Sequence, residues 1–230
     1  MRIEIWSDVV CPWCYIGKRR LESALAEFDH PVEILWRSYQ LDPGAPAVPT
    51  ETVAESLGRK YGGGPEAGRA MIDRVEAVAA EEGLLFRHHQ SLRANTTDAH
   101  RLLHLAHTEG LQGDLKEALL AAYFTHTENV ADHDTLRKIA AGVGLDGQRV
   151  DEVLGSEEYL DEVWADISQA QAYGATGVPF FVVDGKYGVS GAQPTEVFTQ
   201  VLERAWGESH PALEVIGTAD AACGPDGCAV

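Results

Sequence analysis

The chain has 230 residues, of which 45% are hydrophobic and 23% charged, a composition typical of a globular protein with a sizeable core. Asp and Glu outnumber Lys and Arg by 36 to 18, and the formal charge of -18 argues against nucleic-acid binding, because phosphate backbones would be repelled. No apolar run is long enough to span a membrane and no signal peptide precedes the first predicted strand, so we expect a cytoplasmic protein without membrane association.

The first forty residues predict a strand, a helix and a second strand. Alternation in "RIEIW" predicts a strand over residues 2–6, and "CPWC" follows at 11–14. Apolar residues at helical spacing then predict a helix to about Phe28, and "VEILWRSY" predicts a strand near 32–39. The Pro/Gly segment "LDPGAPAVPTE" marks a boundary after that strand.

From this boundary to about Tyr173 the pattern is almost wholly helical. One helix is expected from Pro65 to just before Gly83, and another from Thr97 to Glu109. Capping or acidic residues predict further helix starts near Asp114, Asp134, Asp146 and Glu157.

The pattern changes again near the end of the chain. "PFFVVDGKYGVSG" predicts two short strands joined by a turn at Asp184 and Gly185, and a last helix is expected from Pro194 to about Trp206.

The strands therefore lie at the two ends of the sequence and the helices in the middle. We predict an α/β fold in which a β-α-β unit and a β-β-α unit share one sheet, covered by an all-helical insertion. The expected domains are 1–42 with 174–208, the insertion at 43–173, and a tail at 209–230.

Cys11 and Cys14 are predicted to form a redox pair. Pro12 is a suitable first helical residue, so Cys11 should stand at the start of the helix, where free N–H groups and the helix dipole lower a thiol pKa. Cys14 lies one turn further on, close enough to form a disulfide, and one cysteine would attack while the other resolves.

Two other interpretations of this pair stay open. Cys11 and Cys14 could join Cys223 and Cys228 in a zinc site, although a helix, not a zinc knuckle, continues after Cys14. They could also be inert buried cysteines. Our hypothesis assigns no metal.

Pro179 follows the glycine-rich segment "GATGV" and should stand at the entrance of a strand, because proline cannot donate a ladder hydrogen bond. A cis Val178-Pro179 bond would leave the Val178 backbone free to pair with an extended substrate. The residues alone leave the isomer open.

Together, "CPWC", the helical insertion and "GVPFFVVDGKYGVSGAQP" resemble the DsbA family of the thioredoxin superfamily, and more narrowly its cytosolic FrnE-like branch. The likeness runs from residue 1 to about 206. It implies a thioredoxin fold with an inserted helical domain and thiol–disulfide oxidoreductase or isomerase activity. It further implies that Cys11 attacks, Cys14 resolves and Pro179 is the cis-proline.

The expected substrate is a disulfide-containing protein or a small thiol, bound beside Pro12, Trp13 and Val178, with a reductant that the sequence does not identify. No cofactor beyond the dithiol is expected, although glutathione is a candidate co-substrate. DsbA itself has His where this chain has Trp13, so we expect a milder redox couple here.

Two competing functions stay open beside this one. Kappa glutathione transferases and 2-hydroxychromene-2-carboxylate isomerases share the plan but have Ser at the position of Cys11, and the presence of Cys14 argues against that chemistry. A non-catalytic zinc-binding or peptide-binding module is the other alternative.

The tail carries Cys223 and Cys228 around "GPDG", a good β-turn that would bring the two thiols together. The resemblance supports a second redox pair exchanging electrons with the first. An adventitiously oxidised tail and a metal clamp are the alternatives.

The weaker candidates lie elsewhere. Asp8 is a candidate acceptor for the Cys14 proton, or else it caps the turn. His100, His104 and His107 share a helical face at a spacing that can bind zinc, although a polar face directed into the lid cleft is favoured.

Overall fold

The computed structural model describes residues 1–211, in which four strands and nine α-helices follow one another. The strands are β1 (Arg2–Ser7), β2 (Glu33–Ser38), β3 (Phe180–Val183) and β4 (Tyr187–Ser190). The helices are α1 (Pro12–Ala26), α2 (Val53–Tyr61), α3 (Gly64–Glu81), α4 (Thr97–Thr108), α5 (Gln112–Phe124), α6 (His133–Gly142), α7 (Gly147–Leu154), α8 (Leu160–Ala172) and α9 (Thr195–Ser209).

The four strands form one sheet in the order β2-β1-β3-β4. β1 is parallel to β2 and antiparallel to β3, while β3 and β4 form a hairpin. Asp184 and Gly185 both have positive φ in the hairpin turn (48° and 65°), as the sequence predicts. The α/β fold with helices inserted between its two halves is therefore confirmed, whereas the domain boundaries stay predictions.

The sequence prediction missed α2. Its start carried a clear signal, because Thr52 and Glu55 form a reciprocal capping box, in which each side chain bonds to the other residue's backbone N–H. Three consecutive glycines after α2 obscured its end. The prediction was also early for α8, which begins at Leu160 and not near Glu157.

Two hydrophobic cores meet at α1. Leu21 and Ala24 pack in the core between the sheet and α9. Tyr15 and Ile16 pack in the core of the helical segment, by which we mean helices α2 to α8 between β2 and β3. The first turn of α1 therefore lies where the two cores join.

Side chains from the helical segment form hydrogen bonds with the backbone groups along the outer edge of β2. The Gln112 amide accepts from the Trp36 N–H and donates to the Trp36 carbonyl, each at 2.9 Å. Asp166 Oδ2 accepts from the Ser38 N–H at 2.8 Å. These bonds replace those that a neighbouring strand would make.

Among residues 1–211, no helix is long and apolar enough to cross a membrane.

Glycines allow α2 and α3 to approach closely. A Cβ atom on Gly68 would lie 2.0 Å from the Ala54 carbonyl oxygen, and one on Gly58 would lie 2.0 Å from the Gly64 carbonyl oxygen. Both obstacles are backbone atoms, so the helices themselves would have to separate.

We expect Gly68→Ala to lower the free energy of unfolding by about 1 to 3 kcal/mol, because the methyl group overpacks this contact. Gly142→Ala is the matched control, since a Cβ on that helical glycine would meet nothing within 4 Å. The control should stabilise the protein by about 0.5 to 1 kcal/mol. Urea unfolding measures both, and equal stability of the two variants would contradict the prediction.

Candidate active site

The two predicted redox cysteines lie at the first turn of α1. Cys11 is the N-cap residue and Pro12 begins the helix, as the sequence predicts. The Cys14 N–H donates to the Cys11 carbonyl at 3.0 Å, which folds the pair into one tight turn. Both thiols are free and their residues are buried. The local sequence therefore forms a reduced dithiol in a helical turn.

Val178 and Pro179 lie against this turn. Their peptide bond is cis, as the family resemblance implies. The Cys11 thiol donates to the Val178 carbonyl, with an Sγ–O distance of 3.5 Å. A Cβ on Gly17 would lie 3.1 Å from Pro179 Cγ, so a glycine at this position lets the proline ring lie close to α1.

The two thiols ionise as a pair, because each lies within hydrogen-bonding reach of the other. The hydrogen bond to Cys14, together with burial, raises the pKa of Cys11. Burial also raises the pKa of Cys14, but the bond from Cys11 and the positive charge of Lys116 outweigh it and lower that pKa. In the reduced pair, contact with Cys14 and burial therefore raise the pKa of Cys11, against the lowering that the helix start alone predicts.

Lys116 is the part of the site that the sequence analysis missed. It lies on α5, fully buried, and its Nζ has no hydrogen-bond partner among residues 1–211. Burial lowers its pKa to about 8, although the charges of Cys14, Asp8 and Cys11 oppose the shift. A lysine with such a pKa can stabilise a thiolate when charged and accept a proton when neutral.

Asp8 is held by two other groups. Its carboxylate accepts from the Leu41 N–H at 2.8 Å and lies 3.2 Å from His100 Nε2. Burial raises the pKa of Asp8, but these contacts outweigh it and lower the pKa below its ordinary value. A carboxylate with a lowered pKa and both oxygens occupied is a poor base, so these contacts favour the alternative that Asp8 orders the turn.

The three histidines of α4 are not brought together as ligands. His100 bonds to Asp8, His104 lies 3.2 Å from Asp166 Oδ2, and His107 is exposed. Within residues 1–211, no group of three or more His, Cys, Asp or Glu side chains is placed to hold a metal ion. His100 and His104 are instead paired with buried carboxylates.

A cavity of about 700 Å³ opens beside Cys11. Pro12, Trp13 and Val178 line it at the dithiol, and α2 and α3 form its far wall. The structure thus brings together all the residues predicted to contact substrate. Trp13 is 43% exposed, as expected for a residue of an apolar groove. Cys14 is absent from the lining, so of the two described cysteines Cys11 faces the cavity.

Cys223 and Cys228, the predicted second redox pair, lie outside the described residues.

A pair of cysteines at a strand-to-helix junction, next to a cis-proline at the start of an antiparallel strand, is the arrangement of a thioredoxin-like fold. Residues 2–203 match the DSBA-like thioredoxin domain, and the chain belongs to that family. The predicted resemblance to the DsbA family is confirmed.

Three solved structures are similar to this chain. A probable DsbA oxidoreductase from Streptomyces coelicolor shares 49% identity, with a TM-score of 0.86 over 100% of this chain and 99% of that one. The cytosolic disulfide reductase DsbM from Pseudomonas aeruginosa, solved with GSH, shares 16% identity and a TM-score of 0.63 over 89% and 98% of the two chains. A 2-hydroxychromene-2-carboxylate isomerase shares 12% identity and a TM-score of 0.68 over 91% and 98%. The latter two likenesses concern the fold.

Replacing Lys116 by Met should make the dithiol harder to ionise, because a positive charge near the thiols is lost. We expect the midpoint of thiolate formation to rise by about one pH unit. The ultraviolet absorbance of the thiolate, followed across pH in the reduced protein, measures it. Lys186→Met, which removes an exposed lysine paired with Glu208, is the control. Equal midpoints in the two variants would contradict the role of Lys116.

The same variant should be more stable than the wild type at pH 7, by about 1 to 3 kcal/mol, since an apolar side chain replaces a buried ammonium group. The pKa of Lys116 is lowered from 10.5 to about 8 in the folded protein. Between these two pH values the unfolded chain therefore binds more protons than the folded protein. The free energy of unfolding of the wild type rises as the pH increases through this window. Lys116→Met should lack this rise in the free energy of unfolding. Urea unfolding at both ends of the window tests this, and parallel pH dependences of the two proteins would disprove it.

Proposed function

We propose that the protein is a thiol–disulfide oxidoreductase or isomerase that cycles Cys11 and Cys14 between dithiol and disulfide. The observation that carries this proposal is the pairing of two free thiols in one turn, of which Cys11 faces a substrate-sized cavity and Cys14 lies behind it. Attack by the sulfur that lines the cavity and resolution by the sulfur behind it is the arrangement that disulfide exchange requires.

The chemical steps follow from this arrangement. The Cys11 thiol loses its proton to water, and the resulting thiolate attacks a substrate disulfide. A mixed disulfide forms and one substrate thiolate leaves and takes up a proton. Cys14 then loses its proton to neutral Lys116 or to water and attacks Cys11. This step closes the protein disulfide and releases the second substrate sulfur as a thiolate, which takes up a proton.

Two electrons thus pass from the protein to the substrate. A dithiol, or two molecules of a thiol such as glutathione, returns them by the same steps in reverse. The likeness to a cytosolic reductase solved with GSH supports glutathione as a co-substrate and the cytoplasm as the location. An uncharged Trp13 between the cysteines supports a couple milder than that of DsbA.

One observation favours a second candidate. The fold likeness to 2-hydroxychromene-2-carboxylate isomerase, together with a largely apolar cavity, suits an enzyme that acts on small aromatic molecules. Such an enzyme would need Cys11 but not Cys14, so the two functions differ in their dependence on the second cysteine.

Cys14→Ser should accumulate mixed disulfides through Cys11, because the resolving thiol is absent, whereas Cys11→Ser should accumulate few. Each variant is incubated with a disulfide-bonded protein and with oxidised glutathione, and adducts are assigned by mass spectrometry. Steady-state turnover should fall by about 100-fold or more in both variants.

Equal trapping by both variants would overturn the assignment of the nucleophile. If Cys14→Ser kept wild-type turnover, the transferase or isomerase alternative would replace the proposal. The double variant Cys11→Ser, Cys14→Ser is the control for adducts that form elsewhere in the chain.

A further inference from the structure

The cavity beside Cys11 carries a charge opposite to that of the chain as a whole. The protein has a formal charge of -18, yet Lys60, Arg74 and Arg93 line the cavity against a single lining carboxylate, Asp42. Positive side chains at one opening of an acidic protein concentrate anions there.

Two of these cations are uncompensated. Arg93 Nε lies 2.6 Å from Asp42 Oδ2, and Arg93 Nη1 lies 3.4 Å from a Glu51 oxygen, so carboxylates neutralise this guanidinium. Lys60 and Arg74 form no ion pair within residues 1–211 and are exposed to solvent. They place two free positive charges along the cavity.

The rest of the lining is mainly apolar. Val53 and Leu57 of α2 and Ile72, Val75 and Val78 of α3 lie together in the wall opposite the dithiol. A volume of about 700 Å³ lies within the range of sites for small organic molecules. The occupant therefore has an apolar body that fits between the dithiol and these two helices.

His88 adds a buried polar group to this lining. It is 3% exposed, and its Nδ1 has no hydrogen-bond partner among residues 1–211. Burial lowers its pKa to about 4, so the ring is neutral near pH 7. The ring therefore adds no charge to the lining, and Lys60 and Arg74 remain its free charges.

From these observations we infer that the substrate of this site is a small, anionic and largely apolar thiol or disulfide, with its sulfur at Cys11 and its carboxylate near Lys60 and Arg74. This inference rests on the proposed disulfide exchange at Cys11 and adds the substrate class to it. The shape and the charge of one cavity thus select the molecule that the dithiol oxidises or reduces.

Dihydrolipoate is a suitable probe, because it is an unbranched fatty acid with two thiols near the end opposite its carboxylate. One of its thiolates attacks Cys11 of the oxidised protein, forming a mixed disulfide and releasing the Cys14 thiolate, which takes up a proton. Its second thiolate then attacks its own sulfur in that mixed disulfide, closing a ring and releasing Cys11. Two electrons pass from the probe to the protein.

The experiment compares dihydrolipoate with dihydrolipoamide, which has the same chain and a neutral end. The oxidised protein is mixed with each probe, and the near-ultraviolet absorbance of the cyclic product gives the rate constant. We expect the acid to react about tenfold faster than the amide at low ionic strength. This ratio should fall as salt screens the two cations.

The variant that tests the contact is Lys60→Gln, Arg74→Gln. Its ratio of acid to amide should fall close to one, because the acid loses its attraction to the two cations. Arg69→Gln, Arg87→Gln is the matched control: it removes the same charge from exposed positions of the same region that do not line the cavity, and its ratio should stay at the wild-type value. Circular dichroism verifies that both variants are folded.

A ratio of acid to amide rate constants near one in the wild type would overturn the inference. A ratio in Lys60→Gln, Arg74→Gln equal to that of the wild type would also overturn it. The inference would also be overturned if a protein with a reduced dithiol reacted faster than dihydrolipoate and its rate did not depend on Lys60 and Arg74. The cavity would then be a site for protein substrates.

Dithiothreitol separates these failures from failure of the proposed function. If this neutral dithiol reduces Cys11 and Cys14 normally, only the substrate class is wrong. If it does not, the proposed function itself fails.

Discussion

The packing of α1 between two hydrophobic cores is the constraint on which the site depends. One side of the helix packs against the sheet and α9, and Tyr15 and Ile16 pack against the helical segment. The first turn, with both cysteines, is therefore fixed by contacts on two sides. Lys116 and His100 reach it from the helical segment and Val178 from the loop before β3, so the site exists only when all these parts have folded together.

Burial of charge is the energetic cost of this arrangement. Asp8, His100 and Lys116 are all inaccessible to solvent, and only the first two bond to each other. The Lys116 ammonium is stabilised by the negative charges of Asp8 and of a thiolate, and by the Trp36 ring, whose centroid lies 5.4 Å from Nζ. The two thiols and a nearby amine of pKa about 8 form a set of groups among which protons can move within the working range of pH.

The sequence was sufficient for the parts of the site that are local in the chain. Cys11, Pro12 and Cys14 follow a strand and begin a helix, and Val178 and Pro179 precede an apolar strand, so their placement follows from short patterns. Lys116 could not be found in this way, because it is about 100 residues from the cysteines and nothing in "GDLKEALL" distinguishes it from a surface lysine.

The charged lining of the cavity was missed for the same reason, since Lys60 and Arg74 come from two helices whose pairing depends on Gly58 and Gly68. The rise in the pKa of Cys11 was also missed, because the helix dipole is a local effect whereas burial of the thiol depends on the tertiary fold.

The side chains that cover β2 have a consequence for assembly. A sheet edge with free N–H and C=O groups invites strands of other molecules, and small sheets are most exposed to such pairing. At β2, Gln112 and Asp166 already occupy backbone positions of Trp36 and Ser38 that an added strand would need. An incoming chain would first have to displace buried amide and carboxylate groups, so strand addition and edge-to-edge aggregation are directed to the short β4 edge at the other side of the sheet.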